Sequence, residues 1–254
     1  MAQTISVVDI KKAGAGKKTG ADSNAAVIEH ASNELVIAVV GHVGSGTSEV
    51  AKALKALLAE TPLGSSPTDI EILKATDVIG AWAKATERQA PVIVKDERKK
   101  LTDVRIFQDL GDELRKHSGD HAAVAKGLAI RIRETRAARQ SADSNVLDPI
   151  IPDGKPRAYI LDSIRHPAEV ELLRHIYQDA FVLIGVVCEE TTRLNRVTDK
   201  YADAGRESAL AFMKRDAKAT EKHGQRVSDA FHLADFFVDN TADRYNSIFN
   251  SIKH

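Results

Sequence analysis

Eight residues, Gly41–Ser48 (GHVGSGTS), have the spacing of a loop that holds phosphate. In such a loop glycines let successive backbone N–H groups turn inward as an anion nest, and the helix that follows adds the positive end of its dipole. Gly41, Gly44 and Gly46 supply that freedom here. Ser48 stands where a hydroxyl meets a nucleotide-bound magnesium ion. The pattern G-x-x-x-x-G-K-[ST] asks for a lysine just before that hydroxyl, and this sequence has Thr47. A unit charge about 4 Å from a phosphoryl group is worth roughly 4 kcal/mol gross at an effective dielectric of about 20. Amides alone can therefore still bind, while phosphoryl transfer slows by about three powers of ten unless another cation steps in.

Around this loop, His42, Ser45 and Thr47 complete the expected contacts to a nucleoside triphosphate. Asp162 ends an apolar run, where a carboxylate can hold magnesium through water together with Ser48, and Arg165 follows three residues on. The nine histidines show no H-E-x-x-H spacing, and one cysteine, Cys188, permits neither an intramolecular disulfide nor a multi-cysteine zinc site. Cys188 and Trp82 read as packing residues, and Lys95 with Arg98–Lys100 as a solvated face.

The elements that must position these groups are legible from periodicity. Leu35–Val40 (LVIAVV) is an unbroken apolar run, as in a parallel strand covered on both faces. After the glycines, Val50, Leu54, Leu57 and Leu58 form one helical stripe. PLGSSP at 62–67 breaks the chain, and further strands are expected at Asp69–Ala75, Arg157–Leu161, Phe181–Val187 and Asp235–Asp239. Helices are expected over 76–86, 103–116 and 121–140, in the HPAEVELLRHIY segment, across the charged stretch 189–222, and near Tyr245–Ile252. Alternating strands and helices predict an α/β fold, a mainly parallel sheet between two helical layers.

At 254 residues and 43% hydrophobic, the chain can bury one large core. Lys plus Arg (36) equals Asp plus Glu (36), so no overall basic field points to nucleic acid. No window reaches the roughly 18 apolar residues of a membrane span and no secretory core opens the sequence, so a cytoplasmic protein is expected. Residues 1–32 read as a flexible leader and 33–254 as one domain.

The segment AYILDSIRHPAEVELLRHIY (158–177) resembles the strand-Asp-x-Arg-x-Pro-x-Glu-Val stretch of P-loop nucleoside monophosphate kinase-like proteins, and IFQDLGDELRKHSGD (106–120) resembles their substrate-side segment. With GQRVSDAFHLADFFVDN (224–240), the ordered set over about residues 33–250 is similar to the N-terminal kinase-like domain of bacterial anti-phage deoxycytidylate deaminases. The resemblance implies that Gln108 and Arg115, with Gly111, hold a base and a monophosphate. It implies catalytic work for Asp162, Arg165 and Arg206, and places Arg193, Arg196 and Arg215 with Arg206 in a lid region. The zinc deaminase domain of that family uses H-x-E and P-C-x-x-C segments; this sequence has neither, so deamination by this chain is excluded and no zinc is expected.

The expectation is a nucleotide-binding module, regulatory to a deaminase system, that uses Mg2+ with a nucleoside triphosphate. A separate deaminase domain or protein is its expected partner, with self-association into a homo-oligomer. An active deoxynucleoside monophosphate kinase and a catalytically dead interaction module are the alternatives.

Overall fold

The computed structural model describes residues 33–61, 67–92, 99–141, 150–217 and 223–242. The leader, Lys95, Arg98 and the helix expected near Tyr245–Ile252 lie outside the described residues.

Strand β1 (Glu34–Val40) is followed by helix α1 (Thr47–Glu60), strand β2 (Asp69–Lys74) and helix α2 (Ala75–Ala85). Helices α3 (Leu101–Ser118) and α4 (Ala123–Arg139) come next, then strand β3 (Arg157–Ile164), helix α5 (Pro167–Tyr177) and strand β4 (Phe181–Val187). Helices α6 (Glu190–Lys200), α7 (Arg206–Ala217) and α8 (Val227–Phe231) precede strand β5 (Phe236–Asp239). The five strands lie in the order β2-β3-β1-β4-β5, and every pairing is parallel.

Successive side chains of a strand point to opposite faces, and β1 divides its residues accordingly. Val36, Ala38 and Val40 join Leu128 and Ile132 of α4, Leu173 of α5 and Ala230 of α8. Ile37 and Val39 join Val50 and Leu54 of α1 on the other face. Two apolar layers thus cover one sheet, which is why β1 reads as a continuous hydrophobic run. On the α2 side, a Cβ placed on Gly127 of α4 would lie 2.2 Å from Val78 Cγ1, so the absence of a side chain lets α2 close onto α4.

Boundaries differ from the sequence reading where polar groups intervene. β3 runs three residues past Leu161, because its backbone keeps pairing with β1 through a register shift: Val39 faces Asp162 and Val40 faces Ile164. β2 stops at Lys74 and α2 starts at once on Ala75. The stretch 189–222 divides into α6 and α7 around Tyr201–Gly205. Asp235 stays outside β5, since its carboxylate accepts the Leu183 N–H at 2.7 Å and pairs with Arg174 at 2.7 Å.

At the amino ends of the strands, Glu34 accepts from Arg136 at 2.9 and 3.0 Å and from Arg157 at 3.5 Å. Arg157 also donates to Asp153 at 2.9 Å. Among the described residues no helix is long and apolar enough to cross a membrane.

Candidate nucleotide site

The glycine loop leaves β1 at the carboxyl edge of the sheet and enters α1. Gly44 (φ +82°) and Gly46 (φ +88°) adopt left-handed backbone that L side chains rarely reach. Their missing side chains also leave room for neighbours. A Cβ on Gly44 would lie 2.7 Å from the Arg193 carbonyl, and one on Gly46 would lie 2.2 Å from Asn240 Nδ2. No side chain caps α1, so its first N–H groups face the space that an anion would occupy.

Three supports fix the loop from behind. Asn240, just past β5, donates to the Ser45 carbonyl at 2.7 Å. Arg193 of α6 reaches the Val43 carbonyl at 3.5 Å, and the Val43 N–H donates to Asp216 of α7 at 2.7 Å. The Val43 side chain packs with Leu101, Leu194, Val197, Phe212 and Met213, which joins the loop to α6 and α7. His42 borders the cavity, contacts Ser228 Oγ at 3.0 Å and packs on Phe231 at 5.6 Å between ring centroids. Burial, and then the Arg193 charge, push its imidazole below the usual histidine range.

Ser48 Oγ donates to Asp162 Oδ2 at 2.7 Å. Sheet register makes this contact, since Asp162 lies between Val39 of β1 and Lys74 of β2 at the ends of the strands. The two oxygens suit magnesium, a hard cation that keeps waters and takes its other ligands from phosphate. Among the described residues no group of three or more His, Cys, Asp or Glu could hold a metal by itself.

Beside these groups opens a cavity of about 930 Å³, within the range of small-molecule sites. Gly44, Gly46, Thr47, Ser48 and Asp162 line one part of it. Asp77 and Ile79 of α2, with Val104, Phe107 and Gln108 of α3, line another.

Gln108 and Arg165 meet on Asp216, a fully buried carboxylate. Arg165 pairs with Asp216 Oδ1, and Gln108 Nε2 approaches the same oxygen at 3.4 Å and Gln225 at 3.3 Å. Sequence reasoning passed over Asp216 because it lies in a highly charged stretch. The signal was its place on the Ala209, Phe212, Met213 stripe, the buried side of α7.

Arg115 lies behind the cavity wall. Its guanidinium is 2% exposed and pairs with Glu169 at 2.8 Å and Asp112 at 3.1 Å. Glu169 in turn accepts from the Arg165 N–H at 2.9 Å, so Arg115 stands one contact behind Arg165. Arg206 is exposed at the start of α7, and Arg215 pairs with Asp109 and Asp112; neither lines the cavity. Arg196 does line it, while donating to the Asn240 carbonyl at 2.8 Å. Lys99 and Lys200 also border the cavity: the sequence reading put Lys99 on a solvated face and did not single out Lys200. Burial raises the Cys188 thiol above its usual range, and Trp82 is half-buried under Arg88, 4.5 Å from its ring.

No family model and no curated protein matches the chain. Among solved structures, TT1252 of Thermus thermophilus is similar with a TM-score of 0.44 and 16% identity, over 87% of this chain and 94% of that one. An uncharacterized protein of Eubacterium ventriosum overlaps with a TM-score of 0.42 and 13% identity, over 86% of this chain and 96% of that one. Shikimate kinase of Acinetobacter baumannii, in complex with shikimate, gives 0.39 and 12%, over 86% and 90%. These overlaps are loose.

Proposed function

We propose that this chain binds a nucleoside triphosphate with magnesium, the phosphates lying against Gly44–Ser48, and serves as a kinase-like nucleotide-binding module. The observation that carries this reading is the Ser48–Asp162 contact beside a strand, glycine loop and helix. The loop amides orient the phosphates, and Asn240 and Asp216 hold the loop in the shape that does so. Magnesium, when bound by Ser48 and Asp162, supplies charge neutralisation at the phosphates.

The cavity wall on α2 and α3 favours a second reading, phosphoryl transfer to a nucleoside monophosphate. Phe107, Ile79 and Val104 offer apolar faces to a base, and Gln108 and Asp77 offer polar edges. Arg165 would then face the transferred group, supported through Glu169 by Arg115. The ordered sequence resemblance supports the narrower role of a regulatory module in an anti-phage deoxycytidine nucleotide deaminase system, with the deaminase as a separate domain or protein.

Thermal unfolding of 1–254 against nucleoside mono- and triphosphates, with and without magnesium, tests the reading. A ligand at about 100 times its dissociation constant adds roughly 2.7 kcal/mol, a rise of several degrees for a domain of this size. Ser48→Ala and Asp162→Asn should each remove the magnesium-dependent part of that rise. No rise with any nucleotide overturns the proposal. Given binding, turnover with a monophosphate acceptor selects the kinase reading, and binding without turnover selects the regulatory one.

A further inference from the structure

Thr47 leaves the loop without the ammonium that its pattern carries, yet five cations border the cavity among the described residues: Lys74, Lys99, Arg165, Arg196 and Lys200. Arg165 is engaged by Asp216, and Arg196 by the Asn240 carbonyl and by Cys188 at 3.3 Å. Lys74 ends β2, two strands from β1, which at about 4.8 Å per strand places its backbone roughly 10 Å from the end of β1. Its nearest partner across the sheet register is Asp162.

Lys200 is placed differently. Helix α6 runs beside the loop, since the Arg193 carbonyl is 2.7 Å from the position of a Gly44 Cβ. Residues 193, 197 and 200 stand at i, i+4 and i+7, one stripe of a helix. Val197 of that stripe is buried and lines the cavity, and Lys200 extends the stripe and lines the same cavity. Burial, and then the charge of Lys99, lower its ammonium below the usual lysine range, while the charges of Glu49 and Asp162 act in the opposite sense, and its Nζ lies 5.7 Å from the Tyr201 ring centroid. As the last residue of α6, Lys200 also meets the negative end of the helix dipole, which favours a cation.

We infer that Lys200, with Lys99 beside it, supplies the cation for the distal phosphates of a nucleoside polyphosphate in place of a lysine at position 47. The inference rests on the proposed reading of the loop and names what that reading lacks. It assigns the charge to α6, so contact depends on the number of phosphates and not on the base. The ligand class is therefore a nucleoside di- or triphosphate in preference to a monophosphate.

The test is calorimetric titration of the full chain with ATP, GTP and dCTP and the matching monophosphates, all with magnesium. Lys200→Met should weaken triphosphate binding by about tenfold or more, the worth of one charge-assisted contact, and leave monophosphate binding nearly unchanged. Thr47→Lys added to Lys200→Met should restore most of the loss. Lys55→Met, exposed on α1 and outside the cavity lining, should bind as the wild type does. Wild-type affinity in Lys200→Met, a loss that Thr47→Lys leaves in place, or a loss seen in Lys74→Met instead, overturns the inference while the loop reading stands. A wild-type chain that binds none of these nucleotides overturns both.

Discussion

At the amino ends of the strands, Glu34, Arg136, Arg157 and Asp153 close on one another. At the carboxyl ends, Asp216, Arg165 and Gln108 are joined in a similar way, but all three border a cavity. Both groups hold buried charge, so burial and pairing do not by themselves mark a site. The position relative to the sheet does: in open parallel sheets ligands bind beyond the carboxyl ends of the strands, where loops replace strand pairing. The first group locks strand ends and a helix together, whereas the second positions a loop.

The largest expected effect breaks the first group. Glu34→Ala strips Arg136 of its buried carboxylate partner, while Arg157 keeps Asp153, and should cost about 3–5 kcal/mol, read by urea unfolding. Nucleotide affinity of the folded chain should not change. A loss of affinity as large as the loss of stability would dissolve the contrast between the two ends.

Acid should separate the ends next. His166 caps α5 by accepting the Ala168 N–H at 3.1 Å and stacks on His121 at 4.8 Å between centroids. Burial, and then the Arg115 charge, lower its pKa from 6.5 to about 4. The unfolded chain therefore takes up a proton before the folded one does, and stability falls as pH drops from 6.5 to about 4, by at most roughly 3 kcal/mol. At the closed end, hydrogen bonding from Arg157 holds Asp153 well below the usual carboxylate range, so its contribution is lost only in stronger acid. Unfolding free energy measured against pH should show the His166 step, and His166→Asn, which keeps a capping side chain, should flatten it.

A smaller effect sharpens the loop end. Gly44→Ala imposes left-handed backbone on a side chain and crowds the Arg193 carbonyl, a cost of about 1–3 kcal/mol. Melting temperature should fall modestly, and nucleotide affinity should fall more than this cost alone accounts for, because in the proposed reading the loop shape is the binding surface. Smallest of all, Arg206→Ala should change stability by less than about 0.5 kcal/mol and leave triphosphate affinity unaltered, since Arg206 is exposed and outside the cavity lining.

Much of this architecture could be read from the chain. The apolar run of β1, the glycine spacing and the helical stripe of α1 are local patterns, and they located the loop. Asp162 was legible because a carboxylate ending an apolar strand stands out. Asp216, Asn240 and Lys200 were not, because their meaning comes from elements that the fold brings to the loop from more than 150 residues away. Arg115 shows the converse. A conspicuous arginine in a motif-like segment reads as a phosphate ligand, but its Glu169 and Asp112 partners turn it inward.

The contact of Gly127 with Val78 has a consequence for how such a sequence can change over generations. The α2 helix that carries Asp77 and Ile79 to the cavity sits where it does because position 127 has no side chain and position 78 fills the gap. An alanine at 127 that arises first meets a stiff β-branched side chain and pushes the cavity wall outward. Shrinkage at 78 that arises first leaves only a small void, into which alanine at 127 can later fit. The two positions form a ratchet with a preferred order, and descendants are expected to keep the glycine–valine pair or to have replaced residue 78 before residue 127.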